Sequence, residues 1–441
     1  MCNFGIMLRQ ALACVWHSSF VRSVAIVVSG TAGAQVIAMA LTPVITRLYG
    51  PEAYGILGTF MAILSVAAPV AALAYPISVV LPCRDEEALG LLRLSAYVSI
   101  LVATLVTGGL WLSGDMMAIL LGMEGIGNTI YLIPAAMLFA AWVQMARNWL
   151  VRKKAFGVIA RSTLVHSGIL NSARALAGLV LPSGVVLIVL ATLGNVLHAL
   201  LMVIGIRRHT VVNRSELPEN SEPTITELAR QYGDFPLYRS PQSLIHAVSQ
   251  SLPVLMLAGF SGPAAAGFYA LAKSVIAMLE MLLGKPVMEV FYPRINVAVR
   301  DGENATILIR KATVGIALVG ILPVSFLLVG GGALFEWVFG EDWVVAGYYT
   351  QWLALWLLAV LMGKPSVAAI PVLNHQRWLL GYEIVGVVIR SVVLTIGLVV
   401  FESEIVAVAL FSLVGILLIV YLILFTTRSA RLSSNKIWTR T

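Results

Sequence analysis

The sequence reads as an all-α integral membrane protein, with about twelve transmembrane helices in two pseudo-symmetric six-helix bundles around a central cavity. Three observations lead there. The 441 residues are 59 % hydrophobic and 11 % charged, with a mean hydropathy of +0.93, whereas a soluble domain carries about 25 % charged residues. Lipid is therefore the expected solvent for most of the surface. Apolar stretches of about 18 or more residues, long enough to cross hydrocarbon as helices, recur along the chain. Finally, one hydrophobic hairpin occurs twice: a shift of 212 residues carries Gly50-Pro51 onto Gly262-Pro263 and Gly55 onto Gly267. Repetition at that distance is expected of two similar halves.

The predicted spans are 24–46, 54–82, 91–112, 130–150, 160–181, 184–206, 242–261, 265–292, 312–334, 344–370, 379–400 and 404–426. Six lie on either side of a polar stretch, so the expected organisation is an N-terminal cytoplasmic segment 1–23, a first bundle 24–206, a linker 207–240, a second bundle 241–426 and a tail 427–441. Charge tests the count. Connections on one side hold Arg84 and Arg93; Arg152, Lys153, Lys154 and Arg161; Arg207, Arg208, Arg214, Arg230 and Arg239; Arg294, Arg300, Arg310 and Lys311; Arg377; and Arg428, Arg431, Lys436 and Arg440. The opposite connections, 113–129, Pro182-Ser183, 262–264, 335–343 and 401–403, hold neither Lys nor Arg, and Arg47 alone breaks the pattern. The positive-inside rule then puts both termini in the cytoplasm. The same distribution makes the net charge of +8 a topology signal and argues against nucleic-acid binding.

Between the bundles, 207–240 mixes charge, Pro218 and Pro223 with a short helical-looking run, Thr226 to Tyr232. It is too short for an enzymatic domain. Prolines such as Pro43, Pro253, Pro286 and Pro365 punctuate the spans and bend helices by removing a backbone bond. Cys2, Cys14 and Cys83 match neither a metal site nor a disulfide framework. Residues 1–20 lack a convincing cleavage signal, so a removed leader is not expected.

Ionisable residues inside spans are the site clues, because each is costly against lipid. Lys273 falls near half depth of span eight, and Glu280, seven positions on, shares its helix face with Ser274 and Ala277 between them. That face is expected to line a cavity or a protein interface. Lys285 and Glu289 stand at i,i+4 and are expected to pair with each other. Glu383 and Arg390 repeat the seven-residue spacing in span eleven, and Arg174, Arg147 and Lys364 are further buried-charge candidates. Arg47 sits beside Tyr49 and Gly50-Pro51, either as an interfacial anchor or as a contact for phosphate, which suits an arginine fork. The substrate-binding candidates are Arg47, Arg174, Lys273 and Arg390, and Glu280 and Glu383 are the candidate coupling carboxylates for protons or sodium.

No catalytic residue, metal ligand or bound cofactor is expected. The chain has no GxxxxGK[ST] loop, HExxH or GxSxG, and no filter-like carbonyl sequence. His166, His198, His246 and His375 are scattered and read as packed or interfacial.

At this point the chain resembles the polysaccharide-export flippases of the multidrug/oligosaccharidyl-lipid/polysaccharide exporter superfamily, particularly O-antigen and capsule repeat-unit translocases. The resemblance spans essentially the whole chain and is carried by Arg47-Leu-Tyr-Gly-Pro-Glu-Ala-Tyr-Gly55, Tyr232-Gly-Asp-Phe-Pro-Leu-Tyr-Arg-Ser-Pro241 and Gly267-Phe-Tyr-Ala-Leu-Ala-Lys273. It implies a V-shaped pair of bundles and alternating access to a cationic cavity. It also implies passage of an undecaprenyl-diphosphate-linked oligosaccharide (an O-antigen, capsule or exopolysaccharide repeat unit) between leaflets. Lys273 matches a cavity-lining basic position and Arg47 the basic end of the first-helix motif, while Arg174 and Arg390 rest on the span reading. The implied partners are the lipid-linked substrate, membrane lipids, polysaccharide polymerases and glycosyltransferases. The chain lacks length for the fourteen spans of the peptidoglycan-precursor branch. Two alternatives stay open: a multidrug or small-cation antiporter of the same architecture, and a membrane-embedded glycosyltransferase or polymerase, which would need an acidic pair and a large outer loop.

Overall fold

The computed structural model describes residues 19–120, 129–209, 224–301, 303–373 and 375–438. Cys2, Cys14, most of the segment 1–23, the loop residues 121–128, the linker residues 210–223 and the last three residues of the tail lie outside them. Every regular element among the described residues is helical. The order is α1 (Ser19–Ala71), α2 (Tyr75–Ser78), α3 (Asp85–Leu120), α4 (Leu132–Arg152), α5 (Phe156–Val180), α6 (Gly184–His209) and α7 (Ile225–Gln231). A π-helical turn (Phe235–Arg239) then leads into α8 (Ser240–Ser261), α9 (Pro263–Arg300), α10 (Ala305–Phe339), α11 (Val344–Val372), α12 (Gln376–Val399) and α13 (Glu404–Trp438).

Ten of these helices are long and apolar enough to cross a membrane. The first is two spans joined at Gly50, where φ 71 and ψ 173 interrupt the helix. α5 is not among the ten; its 25 residues include Arg161, His166, Asn171 and Arg174, which dilute its hydropathy. Counting both arms of α1 and adding α5 brings the fold to twelve membrane-length helices, an all-α multi-pass membrane architecture. One boundary differs from expectation. The second span does not run to residue 82: it stops at Ala71, and Leu73 and Ala74 take positive φ before the short α2. Apolarity through 72–82 hid this break because the segment is buried against protein; Ala72, Ala74, Tyr75 and Val79 are all core residues.

The chain packs as two compact units, one drawn from Met1–Tyr49 and Phe60–Ser251 and the other from Gly50–Thr59 and Leu252–Thr441. In the first, α6 packs on both α4 and α5. Arg152, closing α4, donates through Nε to Asp85 Oδ1 at 3.0 Å, and Lys153 reaches the other oxygen of the same carboxylate. Asp85, Glu86 and Glu87 occupy the first turn of α3, where acidic groups complement the helix dipole. The described part of the central stretch folds back onto this unit: Leu228 of α7 is fully buried with Leu91 and Trp149, and Tyr75 Oη donates to the Ala229 carbonyl at 3.2 Å. α7 begins with a reciprocal cap in which Thr224 Oγ1 accepts from the Glu227 amide and Glu227 Oε2 accepts from the Thr224 amide.

In the second unit α11 is the central helix, packed by α9, α10 and α13. Its best apolar window is 61 % buried, more than that of any other candidate span. The repeated Gly-Pro motif meets itself here. Gly50 and Gly262 both have positive φ, and Pro51 and Pro263 each follow at a helix start, where proline lacks only an amide that would have no partner. Beyond them Gly55 and Gly267 cross backbone to backbone. A Cβ on Gly55 would lie 1.7 Å from the Pro263 carbonyl oxygen, and one on Gly267 would lie 2.1 Å from that of Pro51. Small residues allow such an approach within a membrane, where packing rather than water drives association.

Two expectations follow. Gly55→Val should destabilise by at least the ~1–3 kcal/mol typical of overpacking, because the obstructing atoms are backbone; a melt in detergent should show a clear fall for it and little change for Gly108→Val, whose Cβ meets open space. The Glu227 carboxyl is held below its ordinary value first by the Thr224 amide and then by the Thr224 hydroxyl. Its contribution to α7 is therefore present above the ordinary glutamate range near ~4.3 and is lost as pH falls through the lower folded value. Hydrogen exchange across 225–231 should quicken relative to the intrinsic rate over that interval, and Glu227→Gln should remove this acid dependence.

Candidate functional site

In the first unit, α5 brings a cation and several neutral polar groups to the first arm of α1. Tyr49 is buried and donates its hydroxyl to the Arg174 carbonyl oxygen at 2.9 Å. Arg174, half-buried, directs Nη1 to Asn171 Oδ1 at 3.4 Å. Asn171 in turn donates to the Ser167 carbonyl at 2.8 Å, and Ser167 Oγ donates to the Ala34 carbonyl of α1 at 2.7 Å. Gly178 makes the seam possible, since a Cβ there would lie 2.6 Å from the Tyr49 ring. Immediately before Ser167 on α5, the His166 ring stacks on that of His198 from α6 at 4.4 Å between centroids with 9° between planes. This pairing of α5 with α6 was invisible as spacing because the two histidines come from different helices. Arg47 belongs to the same unit and is exposed.

The second unit contains a different arrangement. Lys364 Nζ of α11 donates to Glu280 Oε1 of α9 at 2.6 Å, with the lysine side chain 24 % exposed and the glutamate 40 % exposed. Lys273, half-buried two turns earlier on α9, lies within electrostatic reach of the same carboxylate. The Glu280 carboxylate therefore lies within reach of two ammonium groups. Gly284 makes room for the contact: its Cβ would stand 3.2 Å from Lys364 Cε and 3.7 Å from Glu280 Cγ. Ser274 contributes no spare donor because its hydroxyl bonds the Leu271 carbonyl at 2.7 Å.

Arg390 makes a second cationic point in this unit. Its Nε donates to the Gly386 carbonyl one turn back at 3.0 Å, and its guanidinium lies 5.9 Å from the Phe411 ring centroid. Tyr382, Tyr269 and Glu383 are within its electrostatic reach, and Glu383 forms no ion pair with it. Tyr382 also stacks on Trp378, which lies face to face with Phe425 at 3.7 Å. A guanidinium backed by aromatic faces leaves its N–H edge for an anion.

Of the sequence-singled residues, then, Lys273 and Glu280 share an environment, as do Glu383 and Arg390, in the second unit; Arg47 and Arg174 belong to the first. The expected Lys285–Glu289 pair is not formed: both side chains are exposed and neither makes an ion pair among the described residues. Glu280 takes a partner from α11, Lys364, a tertiary neighbour that no spacing along α9 could indicate. Lys364 was legible as a lone cation in a span, but not as the partner of Glu280. No group of three or more His, Cys, Asp or Glu is placed to hold a metal among the described residues.

If the Glu280–Lys364 contact is energetically coupled, Lys364→Met should cost more stability alone than beside Glu280→Gln. A double-mutant cycle of detergent melts should return a coupling of about 1 kcal/mol, small because both side chains are partly solvated.

The chain matches the family described as polysaccharide biosynthesis protein over residues 44–348. No curated protein matches it. Among solved structures it is similar to an inward-facing multidrug resistance MATE family transporter of the MOP superfamily, at 14 % identity and a TM-score of 0.64, covering 93 % of this chain and 95 % of that one. It is also similar to the lipid II flippase MurJ in an inward closed conformation, at 12 % identity and a TM-score of 0.70, covering 89 % of this chain and 85 % of that one. At these identities the likeness is one of fold, which both transporters share with the helices described above. The matched segment runs from the C-terminal end of the first span to the start of α11 and takes in both Gly-Pro motifs, Arg174, Lys273 and Glu280, and on that match the chain is a member of the polysaccharide biosynthesis protein family.

Proposed function

We propose that this protein moves an undecaprenyl-diphosphate-linked oligosaccharide, the repeat unit of an O-antigen, capsule or exopolysaccharide, from the inner to the outer leaflet of a bacterial inner membrane by alternating access. The observation that carries the reading is the meeting of two lysines with one carboxylate inside membrane-length helices, Lys364 bonded to Glu280 and Lys273 within electrostatic reach of it. Lysine inside a span is costly unless something anionic faces it. A diphosphate supplies that charge in the loaded state, competing with Glu280 for the ammonium groups, while Glu280 keeps them satisfied in the empty state. Weak competition is what transport requires, since a substrate held too tightly would not leave. Family membership and the transporter fold support the same reading.

On this proposal Lys273 and Arg390 in the second unit, and Arg47 and Arg174 in the first, contact the diphosphate or acidic sugars. Tyr382 and Trp378 near Arg390 offer aromatic faces suited to a sugar ring. Glu280 or Glu383 couples the cycle to protons or sodium, and polymerases and glycosyltransferases act on the two sides of the step. Both termini are cytoplasmic, as the charge bias of the connections supports. Chemistry on the substrate is not part of the proposal.

The test is leaflet-resolved translocation of a defined lipid-diphosphate-linked oligosaccharide in proteoliposomes, with a cationic dye as a second cargo. Lys273→Ala and Arg47→Ala should each lower the oligosaccharide rate by tenfold or more at unchanged insertion and melting temperature, and dye should not be moved. Full activity in both variants, or transport of dye alone, would overturn the reading. Glu280→Gln should also abolish the response to an imposed proton or sodium gradient; an unaltered response would remove Glu280 from coupling.

A further inference from the structure

Away from these residues, α5 and α6 leave a groove of about 480 Å³ between them, at the end where α5 begins and α6 finishes. Two glycines shape it. Gly205 lets α6 close onto Val158, toward which its Cβ would project to 2.2 Å, whereas a Cβ on Gly157 meets nothing within 4 Å, so the space beside it stays open. The walls are apolar, with Val158, Val165, Leu201 and Ile204 among them, and each helix adds one arginine, Arg161 from α5 and Arg208 from α6. Both arginines are exposed. Among the described residues neither has an ion-pair or hydrogen-bond partner, and no carboxylate lines the groove. Lys154 and Arg207 are exposed at the same boundary and add to the positive field.

We infer that this groove is a binding site for an anionic phospholipid of the surrounding leaflet, with the phosphate between Arg161 and Arg208 and an acyl chain along the apolar walls past Gly157. Two guanidinium groups from separate helices present paired donors to phosphate oxygens, and basic pockets between membrane helices at the arginine-rich face are where anionic headgroups are held. A free inorganic phosphate would use only the arginines and leave the apolar walls facing water. The groove suits a ligand that has both parts. Lipid held there would tie the start of α5 to the end of α6, whose Arg174 and His198 lie further along the same two helices. The inference does not rest on the transport proposal.

The experiment is native mass spectrometry of the purified full chain carrying phosphatidylglycerol or phosphatidylcholine, released from detergent at matched lipid concentration. At ~1 kcal/mol per basic residue, Arg161→Gln with Arg208→Gln should cut phosphatidylglycerol retention by roughly thirtyfold and leave phosphatidylcholine retention unchanged. Arg428→Gln, an exposed arginine of the other unit, should have no effect. Gly157→Leu keeps both charges but fills the groove, and it too should lower phosphatidylglycerol retention; the melting temperature of each variant establishes that it is folded. Retention unchanged in the double arginine variant would overturn the site. Loss in that variant without loss in Gly157→Leu would reduce it to surface charge attraction, and displacement of phosphatidylglycerol by a polyprenyl diphosphate at equal concentration would reassign the groove to the transported lipid.

Discussion

Hydrocarbon offers no hydrogen bonds, so each polar group carried into it must find its partner within the protein. Backbone groups meet this requirement by staying helical, and many hydroxyls meet it by bonding one turn back along their own helices. Thr42 donates to Ala38, Thr59 to Gly55, Ser95 to Leu91 and Thr350 to Ala346, each at 2.7–3.0 Å. Full charges are satisfied only in part so locally. Arg390 and Arg174 use a neighbour on their own helix for one donor each, and a partner drawn from another helix, as at Lys364, fixes how two helices face each other.

The Glu280–Lys364 contact is such a case. It joins α9 to α11, the most buried helix of its unit, and it operates beside Gly284, where the helices approach closely enough for a lysine stem to lie against backbone. The Tyr49–Arg174 seam does the same for α1 and α5 in the other unit, with Gly178 as the small residue that admits the ring. In both places a glycine and a charged residue occur together. The glycine brings backbones close, and the charge makes only one register acceptable.

Cationic excess gives these seams a second meaning. A stability-driven interior would match each lysine with its own carboxylate or replace both with apolar residues, which is often neutral or better for folding. Here two lysines approach one glutamate, and Arg390 holds a carbonyl and the Phe411 ring without an ion pair to Glu383. On the proposed function this arrangement is what receives an anionic substrate. The apolar groove flanked by Arg161 and Arg208 applies the same chemistry at the membrane boundary.

Much of the architecture was legible before any coordinates. Span length, the confinement of Lys and Arg to alternate connections, and the Gly-Pro repeat are one-dimensional signals, because a bilayer imposes one thickness and one polarity along every segment. The early end of the second span at Ala71 escaped that logic, since burial against protein and burial in lipid select the same apolar residues. Lys273, Glu280, Arg174 and Arg390 were legible as costly charges, and the seven-residue spacing correctly put Lys273 beside Glu280 on one helix face. Only tertiary packing could decide that Glu280 takes Lys364 as its partner, that His166 stacks on His198, and that Gly55 meets Gly267. Each of those choices pairs different helices, and the periodicity of a single helix carries no record of which neighbour will face it.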